Sequence, residues 1–370
     1  MAAEAPTGVK PIGELGKHEA KGEVRVSDVL RRVAPGTELR EALDNIISAN
    51  GGALIVIGDV AAVDKLCDGG FTLGVPFTPQ KLFELTKMDG AILLDEDCRT
   101  ILRANVHLVP DAHLPTAETG MRHRTAERVS RQTNAFVISV SQRRNVVSLY
   151  QRGRKVIVQD VTVVLAKANQ ALQTLQRYRA RLDEVMSRLT LLEFEDAVTV
   201  ADIVHAVQRS ELVQRVAYEI SRSVTELGSE GRLVAMQAEE VTANVADDHA
   251  LLLRDYVVGG SQKQASVVRF LVSDMAQEQL IDDMALAVAL GFPATPDTLE
   301  SHIRSRGYRA LRRIPSLPAT VINRLVERFT ALSSLAAASE AQLDEVDGVG
   351  ARRAHVIAEG LRRLRESSGA

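Results

Sequence analysis

Three basic residues at the predicted start of a helix are the strongest chemical signal in this chain. Arg122, His123 and Arg124 follow a polar turn at residues 116–120, and this pattern predicts that a helix begins with them. The free N–H groups and the dipole of a helix N-terminus carry partial positive charge, so acids are normally favoured there. Cations in this place indicate an external anion such as phosphate, to which arginine donates paired hydrogen bonds. A solvated basic helix face is the alternative, since runs of charge commonly lie at the surface.

A second anion-binding pattern lies near the end of the chain. Gly348 and Gly350 form a tight turn that is followed by Arg352 and Arg353 at the start of a predicted helix. Glycines let backbone N–H groups approach a phosphate without obstruction by a Cβ atom, and the arginines supply charge. The segment resembles the helix-hairpin-helix motif, which contacts DNA backbones irrespective of sequence, and residues 314–318 resemble a degenerate first copy without its glycines. A purely structural helical cap is the alternative interpretation.

Asp89 and Gly90 form a third candidate site. The carboxylate stands where a predicted strand begins, and the glycine after it permits close approach of a ligand. An Asp-Gly pair on its own is more often a turn than a site. Its interpretation therefore depends on the motifs that accompany it.

Length and charge bound the remaining possibilities. A chain of 370 residues predicts two or three domains. The net charge of −3 conceals an asymmetry, because residues 303–370 contain 12 arginines and 7 acids and are therefore +5. Such a basic end is typical of a segment that binds a polyanion.

Cysteine use and hydropathy exclude several protein classes. Cys67 and Cys98 lack metal-ligand spacing, so the pattern supports neither a disulfide framework nor a zinc site. No stretch approaches about 18 uninterrupted apolar residues, and the first 24 residues contain no apolar signal core. We therefore expect a cytoplasmic protein with no membrane partner.

Hydrophobic patterning divides the chain into four segments. Residues 1–24 are predicted to be a flexible extension, and residues 25–160 an α/β domain whose mixed sheet is flanked by helices. Short apolar runs predict strands at 53–58, 91–94, 100–106, 135–140, 146–150 and 155–158, the last three antiparallel neighbours. Residues 161–302 are predicted to form an all-α spine, with helices at about 161–189, 200–227, 233–258 and 267–290. Residues 303–370 are predicted to be a tandem helix-hairpin-helix domain.

The Asp-Gly pair and the basic helix start, taken with a segment that lies between them in the sequence, closely resemble the DNA-integrity-scanning diadenylate cyclase (DisA) family. The resemblance rests on Asp89-Gly90-Ala91, on residues 105–111 and on residues 118–125, and it extends over nearly all of the chain beyond residue 24. It implies that the protein condenses two ATP molecules into cyclic di-AMP, releasing pyrophosphate, with Mg²⁺ or Mn²⁺ as cofactor. It also implies a homo-oligomer, an octamer of two tetrameric rings that meet through their catalytic domains.

The resemblance also implies roles for individual residues. Asp89 would bind the metal and help to deprotonate the ribose 3′-OH, Gly90 would pack against the nucleotide, and main-chain groups of Leu108 would read the adenine edge. The residues that would hold the phosphates or complete the ATP pocket are Met121, Arg122, His123, Arg124, Thr125, Ser141 and Arg144. The DNA-binding residues would be Gly348, Gly350, Arg352 and Arg353. The family usually has threonine where this chain has Met121, so a hydroxyl contact is lost, whereas a backbone N–H contact survives.

Two other functions compete with this interpretation. One is a DNA-binding scaffold that senses ATP without turning it over, and the other is a nucleotidyltransferase that modifies a different acceptor. The intact Asp89 argues against the scaffold, because a sensor has no need of a carboxylate beside the 3′-OH. We further expect branched or junction DNA, bound at the basic end, to modulate the cyclase.

Overall fold

The structure, a computed structural model, describes residues 26–368. The extension predicted for residues 1–24 lies outside this range. The described residues divide into two units, one made of residues 26–170 and 218–236 and the other of residues 171–217 and 237–368. The domain boundaries predicted at residues 160 and 302 stay predictions.

An eight-stranded mixed sheet organises the first unit. Its strands are β1 (Ala53–Ile57), β2 (Cys67–Asp68), β3 (Phe71–Pro76), β4 (Ala91–Leu94), β5 (Thr100–Leu108), β6 (Phe136–Ser141), β7 (Val146–Gln151) and β8 (Arg154–Ile157). The order is β2-β5-β4-β1-β6-β7-β8, with β3 also paired to β5. Strands β1 and β4 are parallel and the other pairs antiparallel, which confirms the predicted mixed sheet and the neighbours β6, β7 and β8.

Helices cover both faces of this sheet. They are α1 (Val26–Arg32), α2 (Glu38–Ser48), α3 (Val60–Asp64), α4 (Pro79–Leu85) and α5 (Met121–Gln132). Because side chains alternate along a strand, Ile55 and Ile57 of β1 join the core beneath α1, α2 and α4, whereas Leu54 and Val56 join the core beneath α3 and α5. Every residue of β1 is buried, as expected for a central strand covered on both faces.

Long helices follow the sheet. They are α6 (Val161–Glu195), α7 (Val200–Leu227), α8 (Arg232–Thr242), α9 (Val245–Tyr256), α10 (Gln262–Asp274), α11 (Gln277–Leu280) and α12 (Asp283–Ala289). Arg179, which interrupts the apolar stripe of α6, donates to the carbonyl oxygens of Val241 and Ala243 at 3.1 and 3.0 Å. No helix among residues 26–368 has the length and apolar character required to cross a membrane.

Five helices make up the last part of the described residues, 308–368. They are α13 (Tyr308–Arg312), α14 (Ala319–Phe329), α15 (Leu332–Ala336), α16 (Glu340–Asp344) and α17 (Ala351–Ser368). They share a core that includes the apolar positions predicted around the glycine turn, namely Leu343, Val346, Val349, Ala354 and Ile357. Short turns connect α13 to α14 and α16 to α17, so two helix–turn–helix pairs stand where the sequence predicts a tandem module.

A buried ion pair connects α13 to α6. Arg309 donates from Nη2 to Oε2 of Glu193, and both side chains are only 1% exposed. The hydroxyl of Tyr256 in α9 donates to Oε1 of Glu193 at 2.6 Å. Asp255 accepts the backbone N–H groups of Tyr308 and Arg309 at 2.7 and 3.0 Å and so caps α13. This network holds three helices of the second unit together through polar groups that water does not reach.

Candidate functional site

The predicted ATP-site residues of the first unit gather at one edge of the sheet. Strand β4 begins directly after Asp89 and Gly90, and β5 ends at Leu108. Since Ala91 pairs with Val106 in antiparallel register, Asp89 lies beside the end of β5. Strand β6 ends at this same edge with Ser141, because Val140 pairs with Ala53 at the start of β1. The sheet therefore brings together motifs that are far apart in the sequence.

Gly90 is required by the sheet itself. Its φ is +102°, and a Cβ atom there would lie 2.8 Å from the carbonyl carbon of Asn105 and 2.9 Å from the nitrogen and oxygen of Val106. No other residue fits this approach without displacing the backbone of β5. The contact of Gly90 with a nucleotide stays a prediction, whereas its packing against β5 is a property of the fold.

Helix α5 starts at Met121 and presents free N–H groups. Gly120 is the N-cap and has no side chain with which to cap the helix, and the first turn contains no acid. The first helical hydrogen bond runs from the nitrogen of Arg124 to the oxygen of Gly120 at 2.9 Å. The N–H groups of Met121, Arg122 and His123 therefore lack helical acceptors and remain available to an anion.

The side chain of Arg122, at the start of α5, approaches Asp89. Its Nη2 lies 4.0 Å from Oδ1 of Asp89, whose side chain is fully exposed. The guanidinium crosses Gly52, where a Cβ atom would lie only 2.2 Å from Nη1. Sequence reasoning did not assign Gly52 a role, although its position directly before a buried strand was a signal for close approach.

Arg124, Thr125 and Met121 complete the first turns of α5. Within residues 26–368 the guanidinium of Arg124 makes no hydrogen bond or ion pair, and its Nε is buried. Met121 is 76% exposed. Thr125 is half-buried and lies one turn further on, on the face of the helix that carries Met121. Arg124 is thus a cation with unused donors close to three free N–H groups.

His123 is held by a chain of hydrogen bonds that sequence reasoning missed. Its Nδ1 lies 3.0 Å from the hydroxyl of Tyr150, and that hydroxyl donates to Oε1 of Glu118 at 3.0 Å. The ammonium of Lys155 donates to this same oxygen at 2.6 Å. Burial lowers the pKa of His123, and the negative charge of Glu118 only partly offsets this. In the free site, the cations of the first turn are therefore Arg122 and Arg124.

The turn between β6 and β7 forms the remaining wall. The carbonyl of Ser141 accepts the N–H of Asn145 at 2.9 Å and closes the turn. Arg144 is exposed in this turn, and its charge contributes to the lowered pKa of His123. Ser141 and Arg144 thus belong to the same neighbourhood as His123, and their contacts with a nucleotide stay predictions.

Comparison with known proteins identifies the family. Residues 40–155 match a family described as DisA bacterial checkpoint controller nucleotide-binding, and residues 158–299 match its linker region. A DNA integrity scanning protein DisA from Carboxydothermus hydrogenoformans is 48% identical over 344 residues, covering 93% of this chain and 98% of the relative. Another, from Symbiobacterium thermophilum, is 51% identical over 337 residues, covering 91% and 95%. The chain belongs to the DisA family. It is accordingly a diadenylate cyclase, a nucleotidyltransferase.

The donor set of this DisA-family site fits a metal that arrives with its nucleotide. Among residues 26–368 there is no cluster of three or more histidine, cysteine or acidic side chains that could hold a metal alone. Asp89 is a single, fully exposed carboxylate. Mg²⁺ is commonly bound by one or two carboxylates together with substrate phosphates. Asp89 is therefore suited to share a divalent ion with a triphosphate.

The two glycines of the terminal turn, Gly348 and Gly350, have different surroundings. Gly348 has φ +85°, and a Cβ atom there would lie 3.1 Å from Nη1 of Arg324 in α14. Gly350 has φ +51°, and the space where its Cβ would lie is open. Arg353 donates to the carbonyl of Gly348 at 2.7 Å, whereas Arg352 is exposed and makes no side-chain hydrogen bond or ion pair among the described residues. The open face of the hairpin therefore consists of Gly350 and Arg352.

We predict that Arg122→Ala or Arg124→Ala raises the KM for ATP about tenfold or more, since each would remove a charge-assisted contact that we predict with phosphate. Arg128→Ala should raise it much less. The guanidinium of Arg128 already donates to the carbonyl oxygens of Leu114 and Ala112 at 3.0 and 2.8 Å and is not free for a ligand. Steady-state kinetics on the three variants tests this. Equal increases in all three would indicate a general basic surface instead of a phosphate site.

Proposed function

We propose that the protein condenses two ATP molecules into cyclic di-AMP. In each half-reaction the 3′-oxygen of one nucleotide forms a bond to the α-phosphorus of the other. The bond from that phosphorus to the bridging oxygen breaks, the 3′-OH loses its proton, and pyrophosphate leaves. The observation that carries this proposal is the exposed Asp89 carboxylate, 4.0 Å from Arg122, beside the free N–H groups of α5.

Each group at the sheet edge has a part in this reaction. Asp89 would hold the divalent metal, Mg²⁺ or Mn²⁺, and would accept the proton of the 3′-OH. When bound, the metal would supply a charge that lowers the pKa of the nucleophile and neutralises the departing pyrophosphate. Arg122, Arg124 and the N–H groups of α5 stabilise the negative charge that develops on the phosphoryl oxygens. Main-chain groups of Leu108 contact the adenine.

The reaction joins nucleotides that are held by two subunits. One site of this kind presents one ATP, so a second site must face it to bring the other nucleotide into line. Apolar residues around the site support this arrangement, because Met88, Val109 and Met121 are 36%, 55% and 76% exposed. Exposed apolar side chains that lie close together are typical of protein interfaces, and these three adjoin Asp89, Leu108 and Arg122 of the site in the sequence. We propose a homo-oligomer, an octamer, in which catalytic domains meet face to face.

Identification of the products tests the proposal. The purified protein is incubated with ATP and Mg²⁺ or Mn²⁺, and the products are identified by mass. Cyclic di-AMP and pyrophosphate are expected. Unchanged ATP would favour the scaffold that senses ATP without turnover. A nucleotide attached to a different acceptor would favour the more general nucleotidyltransferase.

The terminal segment is proposed to bind DNA as a tandem helix-hairpin-helix module. Support comes from the two helix–turn–helix pairs, the open Gly350 and the exposed Arg352. The first pair has Ser316 at φ +64° where a hairpin of this type would carry glycine, so the second pair is the better phosphate site. Each hairpin offers few phosphate contacts, and several copies on one oligomer raise avidity.

We predict that a four-way DNA junction inhibits the cyclase more strongly than a linear duplex of equal length, because its arms reach more than one hairpin. Arg352→Glu should reduce this inhibition about tenfold or more at moderate salt. Arg365→Glu makes the same charge change about 20 Å further along α17 and serves as the matched control. Both DNAs are titrated into the cyclase assay. Equal inhibition of the intact protein and of Arg352→Glu would mean that DNA does not act through the hairpin and instead competes with ATP at the ATP site.

A further inference from the structure

The hydrogen-bond chain behind His123 determines which ring nitrogen carries the proton. A carboxylate only accepts hydrogen bonds, so the hydroxyl of Tyr150 and the ammonium of Lys155 both donate to Glu118. Burial and the hydrogen bond to Glu118 raise the pKa of Tyr150, so the phenol keeps its proton. That single proton is committed to Glu118. The phenolic oxygen must therefore accept from Nδ1–H of His123, 3.0 Å away.

The opposite edge of the ring faces the start of α5. With Nδ1 protonated, the neutral imidazole has a bare lone pair on Nε2. Among residues 26–368 no group forms a hydrogen bond with Nε2 of His123. A Cβ atom built on Gly120 would lie 3.5 Å from Cδ2 of His123, the carbon bonded to Nε2. This edge thus lies next to the N-cap of the helix whose free N–H groups are proposed to hold the phosphates.

Charged groups from several elements act on this ring. Glu118 precedes α5 and raises the pKa of His123, whereas Lys155 of β8, Arg144 of the β6–β7 turn and Arg122 of α5 lower it. Glu118 stays ionised, because hydrogen bonds from Lys155 and Tyr150 hold its pKa below the usual value despite burial. A triphosphate brings several negative charges against the cations. Binding of the triphosphate therefore outweighs the effect of the nearby cations and favours the imidazolium form of His123.

We propose that Glu118, acting through Tyr150, fixes His123 in the Nδ1–H form, so that the bare Nε2 takes up a proton from solvent when a nucleotide triphosphate binds. The imidazolium then donates from Nε2 to a phosphate oxygen, and no bond of the nucleotide breaks in this step. Glu118 and Tyr150 are positioning residues that orient the ring and stabilise its charge, as an aspartate does for the histidine of a hydrolase triad. The inference rests on the proposed function for the identity of the nucleotide.

Calorimetry on the full-length protein measures the proton directly. 3′-Deoxy-ATP with Mg²⁺, which binds but lacks the attacking hydroxyl, is titrated in two buffers of different ionisation enthalpy at pH 7.5. The difference in proton uptake between the unmodified protein and His123→Asn reports His123, and we expect a substantial fraction of one proton. Glu118→Gln and Tyr150→Phe should each lose at least half of it. Uptake equal to that of the unmodified protein in both variants would overturn the proposal.

Matched controls separate this role from general effects. Glu84→Gln removes a surface carboxylate that pairs with Lys87 at 2.7 Å, and Tyr178→Phe removes a hydroxyl in α6. Neither substitution should change the proton uptake. If Tyr150→Phe fails to fold, Glu118→Gln decides alone, because it preserves the shape of the side chain while removing its charge and one acceptor oxygen.

The pH dependence of turnover gives an independent readout. KM for ATP should rise with pH between the lowered pKa of His123 in the free protein and its higher pKa in the complex, since binding takes up a proton over this range, and kcat should change less. Because the charge of Glu118 raises the pKa of His123, Glu118→Gln should move this rise to lower pH. An unshifted profile in an active enzyme would refute the inference and leave the cyclase assignment intact. Normal proton uptake without cyclic di-AMP formation would instead refute the proposed function.

Discussion

Asp89→Asn is expected to lower the rate of cyclic di-AMP formation by at least ~100-fold, because the substitution removes metal binding and proton acceptance together. Nucleotide binding should be largely retained, since Arg122, Arg124 and the N–H groups of α5 are unchanged. The fold should be retained as well. Asp89 is fully exposed, and its one ion pair with a residue of the described range, Arg122, is a loose contact of 4.0 Å.

Single-turnover measurement of product by mass, together with binding of 3′-deoxy-ATP, checks both halves of this expectation. Asp44→Asn is the matched control, because Asp44 also contacts an arginine, Arg40, at 2.8 Å, but on helix α2. It should leave the rate unchanged. Near-normal turnover by Asp89→Asn would remove this carboxylate from the mechanism and would favour a site in which the nucleotide alone carries the metal.

Elements with strong local patterns were predicted well from the sequence. Helix α7 has the bounds that were predicted, 200–227, and the three antiparallel strands β6 to β8 lie in the predicted order. Other elements were missed or merged. Strand β2 has two residues, and β3 is mostly exposed, so neither shows the buried alternation of a strand. The predicted helix at 233–258 is divided by Asn244, which adopts φ +65° without the glycine that usually marks such a break.

The same distinction between local sequence patterns and long-range contacts applies to the site. The helix start at Met121 and the carboxylate before β4 could be predicted from neighbouring residues. The hydrogen bonds that orient His123 could not be predicted from the sequence. Glu118, Tyr150 and Lys155 meet because β7 and β8 pair with Tyr150 opposite Lys155, a register that depends on the folded sheet. Gly52 and Gly90 likewise acquire their roles from atoms on other strands and helices.

The buried pair in the second unit yields the largest expected effect on stability. Arg309→Met should lower the free energy of unfolding by about 3–5 kcal/mol, because it leaves the Glu193 carboxylate buried without its cation. Tyr256 would still donate to Oε1 of Glu193, at 2.6 Å, but a neutral donor does not replace a guanidinium. Burial and the nearby Glu193 charge raise the pKa of Asp255 to about 7, whereas the Arg309 charge lowers it, so loss of Arg309 should raise this pKa further.

Urea unfolding followed by circular dichroism measures the loss, and hydrogen exchange locates it. Protection should fall in α9 and α13, because the network connects those helices to Glu193. The double variant Arg309→Met with Glu193→Leu is the decisive comparison. Removing both charges replaces a buried ion pair by apolar side chains, which is often neutral or stabilising, but it also leaves the buried hydroxyl of Tyr256 without its acceptor. Part of the lost stability should therefore return, and the double variant should be more stable than Arg309→Met alone. If the single variant loses less than about 1 kcal/mol, water reaches Glu193 and the network does not hold the helices together.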